Sequence, residues 1–129
     1  MESRRSSDPL LFNTTDFFGN AIILKTKTWE LHILDEHPEM AGCEKLVQGV
    51  VEHPEQIRIS TDYDSGLAFI SSPGVGPRPE GIRVVVNYAD TFYEKGASSG
   101  VVATAYPIDW IKYGHPKLGK TIYKRGGGK

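Results

Sequence analysis

The stretch that decides the fold runs Cys43-Glu44-Lys45-Leu46-Val47-Gln48-Gly49-Val50-Val51-Glu52-His53-Pro54-Glu55-Gln56-Ile57-Arg58-Ile59, residues 43–59. In its first half Cys43, Leu46, Val47, Val50 and Val51 fall at i, i+3, i+4, i+7 and i+8, one apolar face of a short helix. His53-Pro54 ends it, because a proline disfavours helical backbone at the residue before it. Beyond Pro54 the period drops to two: Ile57 and Ile59 alternate with Arg58 and Ser60. Outward from this switch the pattern holds on both sides. Upstream, Trp29, Ile33 and Leu34 give a helical stripe from a Thr26 N-cap to about Glu36, stopped by His37-Pro38, and Ala21–Lys25 reads as a short strand or extended segment. Downstream, Leu67/Phe69, Ile82/Val84/Val86/Tyr88 and Val101/Ala103/Ala105 each alternate with residues of the other face. Two helices followed by four strands leave no room for crossover helices in the strand run. The expectation is an α+β domain, two N-terminal helices packed on a four-stranded antiparallel sheet.

The 129 residues, 39% hydrophobic and 24% charged, suit one globular domain. No apolar run reaches the roughly 18 residues of a membrane helix, and no signal-peptide segment follows Arg4-Arg5. Cys43 is the single cysteine, which excludes an intrachain disulfide framework and a thiolate zinc cluster. A cytoplasmic protein with no membrane association and no cofactor is the expectation. The net charge of −1 conceals an asymmetry: all sixteen acids lie at or before Asp109, leaving −7 on residues 1–110 and +6 on 111–129. This is either the footprint of a domain that meets a polyanion with one end, or a solvated basic tail ending in Gly126-Gly127-Gly128. The organisation read from this is a flexible arm over 1–17, a domain over 18–112 and a basic tail over 113–129.

The candidate chemistry is spread thinly. His32 and His37 lie among Glu30, Asp35, Glu36 and Glu39, but i, i+5 spacing puts them about 140° apart on a helix, and the order matches no zinc motif. Metal-free acid/base work is the alternative, with His32 half-buried at the edge of the apolar stripe. It competes with a histidine that only fills a helix–sheet seam, and with His37 as a helix-terminating residue. His53 and His115, each before a proline, read as loop residues. Thr104 and Tyr106 share one face of the last strand, where a hydroxyl and a phenol reach a phosphate oxygen, though both also pack well in any strand. Arg58 and Arg83 project opposite their aliphatic neighbours as phosphate clamps or as solubilising surface, and Lys112 opens the basic stretch.

The run Leu24-Lys25-Thr26-Lys27-Thr28-Trp29-Glu30-Leu31-His32-Ile33, then His37-Pro38-Glu39-Met40, resembles the opening of the phage-type Barnase–EndoU–colicin–RelE-like (BECR) nuclease domains. The likeness continues through the apolar second helix, Glu52–Glu55 and the closing Val102–Pro107 strand, over roughly residues 18–108, and departs at the long Pro/Gly loop from Ser71 to Gly81. The resemblance implies a metal-independent endoribonuclease of phage, mobile-element or toxin type, with His32, His37, Thr104 and Tyr106 as catalytic residues. Arg58 is added from the strand reading, and Arg58, Arg83 and Lys112 are the expected substrate-binding residues. The implied partners are RNA and an antitoxin or immunity protein. The implied mechanism has His32 take the RNA 2′-hydroxyl proton, Arg58 and Thr104 stabilise the phosphorane-like state, and His37 or Tyr106 protonate the leaving oxygen. The competing reading is a catalytically inactive nucleic-acid- or protein-binding module.

Overall fold

In the computed structural model, residues 9–109 and 118–126 are described. Seven strands form a single sheet: β1 (Leu10–Thr15), β2 (Ala21–Lys25), β3 (Gln56–Ser60), β4 (Gly66–Ile70), β5 (Ile82–Tyr88), β6 (Ser99–Pro107) and β7 (Leu118–Lys124). Their order across the sheet is β1-β2-β6-β5-β4-β3-β7. Every pair is antiparallel except β2 and β6, which run parallel over Ala21–Ile23 and Ser99–Val101. The expected four-stranded antiparallel sheet is thus corrected to a seven-stranded mixed one, which also departs from the small BECR architecture. β3 to β6 lie where alternation predicts them. Of the three strands beyond the expected four, β2 lies in the segment that reads as a short strand or extended chain, and the other two lack a clear period for local reasons. β1 has a polar second half, Asn13-Thr14-Thr15, and β7 carries Lys120 and Lys124, so the charge of that stretch masked its period. A parallel partner 78 positions away leaves no local trace at all.

Two helices cross one face of the sheet. α1, residues 26–36, follows β2 without a turn; Lys25 caps it with extended backbone and no side-chain bond, in place of the expected Thr26, whose N–H donates to Pro9 O at 3.0 Å. Its middle, Trp29–Ile33, is π-helical, with the Leu34 N–H bonded to Trp29 O. A π turn accommodates one extra residue and marks functional segments more often than plain helix does. Here it leaves Trp29 and Ile33 both buried in the core. A 3-10 turn, Pro38–Met40, follows and seats the fully buried Met40. α2, Glu44–Glu52, presents Val47, Val50 and Val51 to the sheet, as its periodicity requires. Facing these helices are Ile22, Leu24, Ile57, Leu67, Phe69, Ile82, Val84, Val86 and Val102, one continuous core.

The sheet's two outer strands both reach the C-terminal turn of α2. From β1, the Thr14 hydroxyl donates to Glu52, and past its end the Phe17 N–H donates to Val51 O at 3.1 Å. From β7, the Tyr123 ring lies 4.2 Å from that of Phe17, and Arg125 donates to the carbonyls of His53 and Pro54 at 3.0 and 3.1 Å. The hairpin between β1 and β2 is locked by the buried Asp16, which accepts from the backbone N–H groups of Phe18 and Asn20, the Asn20 amide and the Tyr88 hydroxyl. Asn20 in turn accepts from the Ser98 N–H just before β6. This buried network ties the hairpin to β5 and β6. Residues 1–17 and 113–129, expected as arm and tail, therefore contain the sheet's two outer strands. Among the described residues no helix is long and apolar enough to cross a membrane.

Candidate functional site

β2 pairs with only the first three residues of β6, and from Lys25 the chain turns helical, so α1 runs on beside the remainder of β6. This brings the C-terminal end of α1 to the C-terminal end of β6. There His37 leaves helical geometry (φ −136°, ψ 71°) ahead of Pro38. Its backbone is fixed on both sides: its N–H donates to Ile33 O at 2.7 Å and its carbonyl accepts from Met40 at 2.9 Å. The His37 ring lies 5.5 Å from the Tyr106 ring.

On β6 a register shift opposite Val85/Val86 inserts one residue, after which Thr104 pairs with Val85 and Tyr106 with Arg83. Val84 and Ala105 belong to the core, so Arg83, Thr104 and Tyr106 occupy the other face. Arg83 Nη1 donates to the Tyr106 hydroxyl at 3.4 Å, and its Cζ sits 5.5 Å from the ring centroid, within cation–π range. Arg83 is only 5% exposed and its Nε has no hydrogen-bond acceptor. Among the described residues it makes no ion pair with a carboxylate. A buried guanidinium in this state carries an unfilled demand for an anion.

His37, Tyr106 and Arg83 are therefore brought together, with Thr104 one register step along the same face. His32 is placed elsewhere. Its ring is 47% exposed, with Nδ1 3.7 Å from Glu36, and among the described residues no hydrogen bond joins it to Thr104. Arg58 spends its Nε and Nη2 on the Gly119 carbonyl at 3.1 and 3.0 Å, bracing β3 against β7. Lys112 and His115 lie outside the described residues. The Ser71–Gly81 loop is a closed excursion at the same end of the sheet. Ser71 and Gly74 N–H groups bond to Ile82 and Pro79, Ile108 bonds to Gly81 O, and Arg78 lies 3.5 Å from Asp109. Among the described residues no cluster of histidine, cysteine and carboxylate side chains suits a metal ion.

No protein-family model, no curated protein and no solved structure matches this chain. With the seven-stranded mixed sheet, this removes the assignment to the BECR fold that the motif resemblance implied. The shared residue types reflect a helix ended by His-Pro and a strand ended by Tyr-Pro, which local chain termination produces in unrelated folds.

Proposed function

We propose that the chain binds RNA through a backbone phosphate at Arg83, Tyr106 and His37 and cleaves it without a metal ion. The observation that carries this reading is the buried Arg83 guanidinium with no carboxylate partner among the described residues, set beside a phenol and an imidazole. An RNA phosphodiester supplies the missing anion, and the cation at Arg83 balances the charge that grows on the non-bridging oxygens in the transition state. His37 accepts the 2′-hydroxyl proton as the O2′–P bond forms. The P–O5′ bond breaks, and the Tyr106 hydroxyl passes its proton to the leaving oxygen before being reprotonated from water. The products are a 2′,3′-cyclic phosphate and a 5′-hydroxyl. DNA lacks the nucleophile.

The test is incubation of the full chain with a structured RNA in excess chelator, beside His37→Ala and an all-deoxy copy of the substrate. The expected result is cyclic-phosphate ends from RNA alone and a rate lower by about 10²-fold or more in the variant. RNA left uncut, or cut equally by His37→Ala, overturns cleavage. One observation favours the second reading, a phosphate-binding module without turnover: with His32 turned outward, His37 is the one imidazole at the site among the described residues. In that case RNA binds, Arg83→Met weakens binding, and no ends are produced.

A further inference from the structure

A groove of about 260 Å³ runs along the flank of α2, between that helix, the start of the 71–81 loop and Arg125. Its apolar lining is Leu46, Val50 and Val75, and its rim carries Lys45, His53 and Arg125 with the hydroxyl-bearing Ser72. Leu46 belongs to the apolar stripe of α2 yet is 42% exposed, because the stripe is wider than the surface the sheet covers. Gly49 lies between Lys45 and His53 along the helix, and a Cβ placed there meets nothing within 4 Å. The missing side chain holds the groove open.

We propose that this groove binds a small amphipathic anion, a molecule with one carboxylate and an apolar body of medium-chain length. The charge on the rim selects the sign. Glu55, the nearby carboxylate, already lies 3.5 Å from Arg125 and accepts from the Ser72 hydroxyl at 3.0 Å, while Lys45 has no carboxylate partner among the described residues. The surplus is positive and sits at the edge of an apolar floor, the arrangement that orients an amphipath head to rim and tail to floor. Among the described residues no phenylalanine, tyrosine or tryptophan ring lines the groove, so it lacks the large stacking platform on which a nucleobase rests. The volume of about 260 Å³ falls just below the roughly 300–1,000 Å³ of drug-sized ligand sites and suits a smaller molecule of about ten non-hydrogen atoms. The groove lies on the helix side of the sheet and Arg83 on the other, so this site is independent of the RNA reading.

The experiment is calorimetric titration of the full chain with octanoate, with octylamine and with inorganic phosphate, repeated on Gly49→Met and Lys45→Ala. Gly49→Met puts a flexible side chain at the groove from a Cβ that meets nothing within 4 Å, and removing a mid-helix glycine favours the fold. Saturable one-to-one binding of octanoate is expected, weakened about tenfold or more by Gly49→Met. Lys45→Ala weakens it by about two- to fivefold, the range for an exposed charge pair. Octylamine and phosphate show no comparable saturable binding. Absence of saturable octanoate binding, equal binding of octylamine, or affinity unchanged in Gly49→Met while circular dichroism shows a folded chain overturns the proposal.

Discussion

Arg83 costs the fold something. A buried guanidinium that stacks on Tyr106, donates one long bond and leaves Nε without an acceptor is a poor use of a buried strand position unless an anion completes it. Arg83→Met is therefore expected to hold or raise the melting temperature while weakening RNA binding by about tenfold, the trade-off common at functional positions. Thermal unfolding and fluorescence anisotropy on the same preparation check it; a lower melting temperature would assign Arg83 a structural role. Tyr88 is the opposite kind of residue. Burial first, and then its bond to Asp16, push the phenol far above the ordinary tyrosine range. Its contribution is present in full below about pH 10, where the unfolded phenol begins to ionise, and is lost as pH rises further because the folded phenol resists ionisation. Tyr88→Phe is expected to cost about 1.5–3 kcal/mol at pH 7. It is also expected to flatten the alkaline fall in stability, read from urea unfolding at pH 7 and 10.5. Alternation put Arg83 and Tyr106 each on the non-core phase of a strand. Their adjacency depends on a cross-strand register and a bulge, which no local pattern records.

Among the elements, α2 is the one read most completely, because five apolar residues at helical spacing and a His-Pro stop leave little choice. Its tie to β1 was not legible. The Thr14 hydroxyl and then the Gln48 amide donate to Glu52 and hold its carboxyl below the ordinary range. A depressed carboxylate stabilises the fold above its unfolded pKa, and the contribution disappears as pH falls through the folded value. Glu52→Gln is expected to cost about 1 kcal/mol at pH 7 and little once the medium is acid enough to protonate the carboxyl. Denaturant titrations at pH 7 and pH 3 measure the difference. Apolar spacing predicts α1 between Thr26 and Glu36, where it lies, but a π turn in its middle cannot be read from that spacing. His32 consequently points to Glu36 and solvent, and only His37, where the helix breaks, arrives at β6. Leu31 on the same helix is 72% exposed, so Leu31→Gln should leave stability within about 0.5 kcal/mol.

For the molecule as a whole, the basic C-terminal stretch is where composition misled most. Read by charge it is a tail; read in three dimensions residues 118–124 are an outer strand, with Arg58 bonded to Gly119 and Arg125 bonded to the turn after α2. A chain cut after residue 117 is expected to lose several kcal/mol or to aggregate through the uncovered edge of β3, seen as a large drop in melting temperature or loss from the supernatant. A free tail would make the cut silent. The parallel join of β2 to β6 has its own consequence. Ala21 cannot meet Ser99 until the chain has been made through Ser99, 78 positions further on. The first hairpin must therefore wait, one flank unsatisfied, while β3, β4 and β5 assemble behind it. Closing so long a span is slow, and newly made chains would spend that interval as clients for chaperones.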